Sequence, residues 1–173
     1  TDALKAAGHE PAVQTQTGLV LDPYFSASKI AWLLDHVDGA RTRAEAGELC
    51  AGTIDAWLMW NLTGGASFVT DVTNASRTSL FGLSDLSWRD DLLDLFNVPR
   101  PVLPEARPSA GFFGETTPDL FGRAIPITGC AGDQQAALVG HGALKPGAVK
   151  ITYGTGAFLV AHTGDTPATS THR

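Results

Sequence analysis

The sequence has 173 residues, of which 43% are hydrophobic, and a formal net charge of −6. This length and composition suit a globular chain that holds one ordinary domain or parts of two. The densest basic cluster is Arg41-Thr42-Arg43, which argues against nucleic acid or an anionic membrane as a partner. No apolar run approaches the roughly 18 residues that a membrane-spanning helix needs, so we predict no membrane span.

The two cysteines indicate the cellular compartment. Cys50 and Cys130 are the only cysteines and form no CxxC motif, a pattern that favours the cytoplasm over an oxidising compartment.

The chain starts at Thr1 rather than Met and ends in a polar run at 166–173. We therefore interpret the sequence as part of a longer protein.

The first half of the sequence predicts two amphipathic helices. Apolar residues recur at helical spacing over 29–37, where Ser26 or Ser28 would cap the helix. A second helix is predicted over 53–62, with Ile54, Trp57, Leu58 and Leu62 on its inward face and the glycines after it as its end. A short strand is predicted at 67–70.

The second half adds a third helix that opens at Ser87, a loop over 100–114, and a strand at 125–128. A glycine turn then leads to a helix over 134–139. Two strands at 148–153 and 157–162 flank the turn Gly154–Gly156, as in a hairpin. The predicted fold class is mixed α/β, with a domain boundary in the stretch 140–147.

Asp133 is the first candidate for chemistry, because it follows a predicted strand and a glycine-rich turn. A carboxylate in that position can face a cleft, where it could act as a general base or hold a metal-bound water. The alternative is that Asp133 only caps the helix that begins at Gln134. The residues alone leave both interpretations open.

The turn Gly154–Gly156 is the second candidate. Its glycines let backbone N–H groups approach a phosphate, and the Thr155 hydroxyl adds a donor. A tight hairpin turn without a ligand would need the same residue types. The sequence contains neither a Walker A loop nor the dinucleotide-binding glycine pattern.

Two further segments are rich in polar groups. Tyr24 follows a proline and could offer its hydroxyl to a polar ligand, although tyrosines with a structural partner are commoner. The segment 71–78 could line a polar cleft or form a turn-rich loop. The five histidines show no metal-ligand spacing, so we predict no protein-held metal site.

Five segments, taken in order, resemble the FGGY carbohydrate kinases and, within them, the kinases that act on glycerol. These segments match sequence motifs of the family and lie at 24–36 (YFSASKIAWLLDH), 52–58 (GTIDAWL), 70–78 (TDVTNASRT), 132–138 (GDQQAAL) and 152–156 (TYGTG). The resemblance implies an actin-like, ribonuclease H-like ATPase fold in which two α/β domains close over a polyol and Mg-ATP. It implies that 1–142 is the later part of the first domain and 143–173 the opening strands of the second.

The same resemblance assigns roles to individual residues. Asp133 matches the family's catalytic base and touches the substrate, Gln134 and Tyr24 match polyol-binding positions, and Phe158 matches an aromatic wall beside the polyol. The turn formed by Gly154, Thr155 and Gly156 matches a contact with the nucleotide phosphates. The implied reaction is phosphorylation of glycerol to glycerol 3-phosphate, with ATP and Mg²⁺ as cofactors.

Several features stay open at this level. The family's N-terminal phosphate loop, its arginine–glutamate pair and its adenine pocket have no counterpart in the sequence, so we expect the isolated chain to have little kinase activity. Ala124 stands where some family members carry an arginine for feedback regulation. The alternatives are an FGGY kinase for erythritol or xylulose, and a non-catalytic binding module derived from a kinase. The oligomeric state, which includes a possible homo-oligomer, is not determined by the sequence.

Overall fold

A computed structural model of the protein describes residues 1–168. The chain divides into two compact units, Thr1–Cys130 and Ala131–Arg173. Residues 169–173, part of the predicted second domain, lie outside the described residues. The predicted domain boundary between 142 and 143 concerns the domains of the family fold and stays a prediction. Within residues 1–168, every helix is too short or too polar to cross a membrane.

Most of the helices belong to the first unit and are short. In chain order, the α-helices in residues 1–168 are α1 (Asp2–Ala6), α2 (Glu10–Thr17), α3 (Ser26–His36), α4 (Ala40–Glu45), α5 (Ile54–Leu62), α6 (Val72–Ala75), α7 (Asp90–Phe96), α8 (Pro118–Phe121) and α9 (Asp133–Gly140). A 3-10 turn lies at Arg100–Val102.

The strands pair two by two. They are β1 (Val69–Asp71), β2 (Phe81–Gly82), β3 (Ser87–Trp88), β4 (Glu105–Arg107), β5 (Ala110–Glu115), β6 (Pro126–Gly129), β7 (Val149–Tyr153) and β8 (Ala157–Ala161). β1 pairs with β4 in parallel, whereas β2–β3, β5–β6 and β7–β8 are antiparallel pairs. The observed architecture is mixed α/β, as predicted.

The first unit has an apolar core. Helices α2, α3, α4 and α7 contribute buried side chains, which include Val13, Ile30, Ala44 and Leu92. A smaller buried cluster joins Met59 of α5, Val69 of β1 and Phe113 of β5. Burial of apolar area at this scale is the main favourable contribution to folding of the first unit.

The second unit consists of α9 and the β7–β8 hairpin. The helix contacts both strands, and the hairpin register places Thr152 opposite Phe158 and Lys150 opposite Val160. Among the described residues of this unit only Ala143 and Lys150 are buried. Its interior is therefore partly polar, unlike that of the first unit.

Several helix and strand predictions are wrong in detail. Ser26 begins α3 instead of capping it, since Phe25 is the N-cap residue. The predicted inward stripe of α5 points outward, because Ile54, Trp57 and Leu58 are exposed while the opposite face of the helix is buried. Ser87 lies in strand β3, so the third helix starts later, at Asp90.

The predicted loop over 100–114 is also wrong, because it contains β4 and most of β5. Helices α1 and α2 were not predicted, since α2 buries only Val13 and Thr17 and shows no apolar stripe. Helices α4, α6 and α8 and strands β2 and β3 were not predicted either. Strands β1 and β6, the β7–β8 hairpin and α9 agree with the sequence analysis to within one or two residues.

Candidate functional site

Asp133 is the first residue of α9, and Gly132 is the N-cap residue. The helix therefore begins one residue earlier than predicted, and Asp133 is not its cap. The side chain is exposed, and its Oδ2 accepts a hydrogen bond from Gln134 Nε2 at 3.1 Å. An acidic residue in the first turn also interacts favourably with the helix dipole. The Asp133 carboxylate is therefore accessible to a ligand.

Gln134 lies between Asp133 and a lysine. The Lys150 ammonium donates a hydrogen bond to Gln134 Oε1 at 2.5 Å, while the amide nitrogen of the same side chain donates to Asp133. The three side chains form one chain of hydrogen bonds within the second unit. Sequence analysis missed Lys150, although a charged residue between Val149 and Ile151 in a predicted strand was a signal for it.

Phe158 shares a hairpin face with Lys150. Residues directly opposite each other in an antiparallel pair lie on the same face, and alternate residues of a strand do so too. Thr152 is opposite Phe158, and Lys150 is two residues before Thr152. Lys150 is the buried member of that face, whereas Phe158 is 44% exposed. The structure therefore places Asp133, Gln134 and Phe158 in the same small unit.

The turn Gly154–Gly156 closes the hairpin, and the Gly154 N–H donates to the Gly156 carbonyl at 3.0 Å. Neither glycine has a positive φ, so the backbone conformation does not itself require glycine there. A Cβ at Gly156 would come within 3.0 Å of the Phe158 ring, whereas the nearest atom to one at Gly154 is 4.0 Å away. Residues 154–156 therefore form a hairpin turn whose backbone is accessible.

Tyr24 belongs to the first unit, just before α3. Its backbone N–H donates to Asp22 Oδ1 at 2.7 Å, and Lys29 Nζ donates to its carbonyl at 2.7 Å. The ring packs edge-on against Phe25, with 5.3 Å between centroids. The side chain is 70% exposed, and its hydroxyl makes no hydrogen bond within residues 1–168. Tyr24 is therefore not a buried tyrosine whose hydroxyl has a structural partner.

Arg77 also contacts the Phe25 ring. Its guanidinium carbon is 5.1 Å from the Phe25 ring centroid, a cation–π arrangement. Burial against this surface lowers the pKa of Arg77 below its ordinary value, and the Tyr24 phenol opposes that shift. Tyr24 and Arg77 therefore both contact the ring of Phe25, the residue before α3.

The segment 71–78 that sequence analysis left open begins with a buried carboxylate. Asp71 is fully buried and accepts hydrogen bonds from Thr73, Asn74 and Ser109, in part as the N-cap of α6. Burial alone would raise the pKa of Asp71, but these hydrogen bonds outweigh it and the pKa lies below its ordinary value of 3.8. Asp71 is a structural carboxylate of the first unit.

Asp71, Asp55 and Cys130 bring one potential metal-ligand atom each within 4.8 Å of one another. Burial and the charges of Asp55 and Asp71 raise the pKa of the Cys130 thiol to about 12, so in this network the sulfur carries its proton at neutral pH. Asp55 accepts hydrogen bonds from Thr53 and Thr70 at 2.5 and 2.6 Å. We interpret this cluster as a hydrogen-bonded network rather than a metal centre.

Comparison with known proteins identifies the family. The family model described as the FGGY family of carbohydrate kinases, N-terminal domain, matches residues 1–140. This chain therefore belongs to the FGGY family of carbohydrate kinases. The resemblance drawn from the five sequence segments is thereby confirmed.

Curated relatives of this FGGY chain include two bacterial glycerol kinases. The chain is 59% identical to the glycerol kinase of Methylobacterium nodulans over 170 residues, which are 98% of this chain and 34% of that protein. It is 60% identical to the glycerol kinase of Alcanivorax borkumensis over 164 residues, which are 95% of this chain and 33% of that protein. The chain thus spans about a third of the length of these relatives.

Solved structures of FGGY kinases share its fold. The crystal structure of Plasmodium falciparum glycerol kinase with ADP aligns with a TM-score of 0.86 at 39% identity, over 91% of this chain and 32% of that one. A xylulose kinase from Rhodospirillum rubrum aligns with a TM-score of 0.77 at 23% identity, over 91% of this chain and 32% of that chain. The actin-like ATPase fold implied by the sequence is confirmed.

Proposed function

We propose that this chain forms part of an enzyme that transfers the γ-phosphate of ATP to glycerol, giving glycerol 3-phosphate. The observation that carries the proposal is the open carboxylate of Asp133 at the start of α9, bonded to Gln134, in a chain 59% identical to a glycerol kinase. The FGGY family membership supports ATP as the phosphate donor.

Asp133 is the proposed general base. Phosphoryl transfer needs little covalent help from the protein, so positioning, charge stabilisation and removal of the hydroxyl proton account for most of the catalysis. The exposed Asp133 carboxylate would accept the proton of the attacking glycerol hydroxyl. Its contact with the Gln134 amide at 3.1 Å would hold the carboxylate in one orientation during that transfer.

The second unit supplies two of the proposed polyol contacts. The Gln134 amide would donate a hydrogen bond to a glycerol oxygen, and the half-exposed Phe158 ring would pack against the carbon chain. A polyol contact by the exposed hydroxyl of Tyr24 is proposed from the resemblance alone. Small polar ligands are fixed in this way by a few placed polar groups beside an apolar surface.

The phosphates of ATP would approach the turn Gly154–Gly156, where the backbone is accessible and Thr155 adds a hydroxyl. Magnesium in such enzymes is held largely by phosphates and water with one or two carboxylates, and it offsets the phosphate charge. In this chain the magnesium would be held by the phosphates and water, so that Oδ1 of Asp133, which has no described hydrogen bond, is available for the hydroxyl proton.

The proposed location is the cytoplasm, since Cys50 and Cys130 are both free thiols. No described contact bears on the oligomeric state, which stays open.

Release of ADP by the full gene product that contains this sequence tests the proposal. The assay would supply Mg-ATP with glycerol, erythritol or D-xylulose in turn, and would run the 173-residue chain alongside. We expect glycerol to drive turnover in the full gene product and little turnover by the 173-residue chain. Turnover with another polyol alone would overturn the substrate assignment, and no turnover with any polyol would favour the non-catalytic binding module.

A further inference from the structure

Lys150 occupies an unusual position in the second unit. It lies in the middle of β7 and is only 4% exposed. Lysine is almost never fully buried unless it is paired, because removing its charge from water is costly. The neighbouring apolar residues Val149 and Ile151 are about half exposed on the opposite face of the strand. The hairpin therefore turns a cation inward, toward α9, and leaves apolar side chains outside.

The ammonium of Lys150 is held by an amide and not by a carboxylate. Its described hydrogen bond runs from Nζ to Gln134 Oε1 at 2.5 Å. None of the ion pairs found within residues 1–168 includes Lys150. A neutral side chain of the same length, such as methionine, would fill this position without the cost of burying a charge. Packing alone does not account for a lysine here.

The contact fixes which way the Gln134 amide faces. An ammonium group can only donate hydrogen bonds, so it selects the amide oxygen of Gln134. The amide NH₂ must then point the other way, where it donates to Asp133 Oδ2 at 3.1 Å. Without Lys150 the amide could rotate and present its oxygen to the carboxylate, an unfavourable contact between two acceptors.

We propose that Lys150 is a positioning residue that orients the Gln134 amide so that its NH₂ group faces Asp133 and the polyol. The inference rests on the proposed function of Asp133 and Gln134, and it deepens that function by adding a residue that touches neither substrate. Lys150 acts only through Gln134, so its contribution should disappear when Gln134 is absent.

A double-mutant cycle in the full gene product tests this dependence. Lys150→Met is expected to lower kcat/KM for glycerol about tenfold, the usual range for coupled neighbours, with the KM for ATP unchanged. Gln134→Leu should lower it at least as much, and the double variant should lose no more than Gln134→Leu alone. Lys145→Met is the matched control, because Lys145 is exposed in the loop before β7 and should leave kcat/KM unchanged. Multiplicative losses in the double variant would overturn the proposal.

A second readout does not depend on kinase activity. In protein with isotopically labelled glutamine, the side-chain amide signal of Gln134, identified by its loss in Gln134→Leu, should move in Lys150→Met and stay in place in Lys145→Met. An unmoved signal in Lys150→Met would contradict the contact itself. A moved signal in a protein that phosphorylates no polyol would support the Lys150 assignment while the proposed function fails.

Discussion

The two units of the chain bury different kinds of residue. The first unit packs apolar side chains such as Leu80 and Phe81, which are fully buried, against one another. The second unit buries a lysine between α9 and the hairpin, where it contacts a glutamine. The first unit is therefore organised for stability, whereas the residue choices in the second unit are better explained by chemistry.

The same contrast holds for the carboxylates. Asp71 in the first unit is fully buried and has hydrogen bonds to both of its oxygens. Asp133 in the second unit is exposed, with a described hydrogen bond to Oδ2 alone. A carboxylate with both oxygens occupied supports the structure around it, while one with a free oxygen can take a proton from a ligand.

The largest expected effect on stability lies in the core of the first unit. Phe81 is fully buried and packs edge-on against Trp88, with 5.2 Å between centroids. Phe81→Ala should lower the free energy of unfolding by about 3–5 kcal/mol, whereas Leu159→Ala, at a residue 66% exposed, should change it by less than about 0.5 kcal/mol. Urea unfolding measures both. Equal losses would remove the proposed difference between the units.

The thiol groups of Cys50 and Cys130 should differ strongly in reactivity. Burial and the charges of Asp55 and Asp71 raise the pKa of Cys130 to about 12, while Cys50 is exposed. Near neutral pH the thiolate of Cys130 should be on the order of 10³ times rarer than that of an ordinary cysteine. Iodoacetamide followed by peptide mass spectrometry should show fast labelling of Cys50 only. Labelling of both at one rate would contradict the buried network.

A smaller, pH-dependent effect is expected at Asp71. Because its folded-state pKa lies below 3.8, the native state favours the ionised form, and that stabilisation is full above the ordinary pKa and is lost as the pH falls through the folded-state pKa. Asp71→Asn should cost about 1–3 kcal/mol at neutral pH.

The measurement is urea unfolding of Asp71→Asn and wild type from neutral to acid pH. The difference between the two proteins should shrink in acid, as Asp71 of the wild type becomes protonated. Asp119→Asn, at an exposed residue of α8, serves as the control. A difference that stays constant with pH would show that the charge of Asp71 does not stabilise the fold.

Sequence patterns predicted the elements with strong local signals. The apolar spacing in α3 and the strand-like runs of β7 and β8 on either side of a glycine turn are local properties, so these elements were predicted well. The inward face of α5 was not, because its buried position is taken by Asp55, whose partners Thr53 and Thr70 satisfy it. A hydrogen bond to a residue distant in sequence leaves no periodic signal.

The site residues were named by the resemblance to the FGGY kinases, and their roles stay a prediction. The structure places Asp133, Gln134 and Phe158 in the second unit and Tyr24 in the first. The part that sequence reasoning missed is Lys150, because its role depends on the packing of β7 against α9. Local pattern indicated a charged residue in a strand, but not which side chain it would contact.

Asp133 is proposed to serve the reaction and not the fold. Glycerol-dependent ADP release and the Tm of Asp133→Asn, measured in the same preparation of the full gene product, test this proposal. We expect turnover to fall by a factor on the order of 10² to 10⁴ while the Tm stays at the wild-type value. Unchanged turnover, or a loss of turnover accompanied by an equally clear fall in Tm, would contradict it.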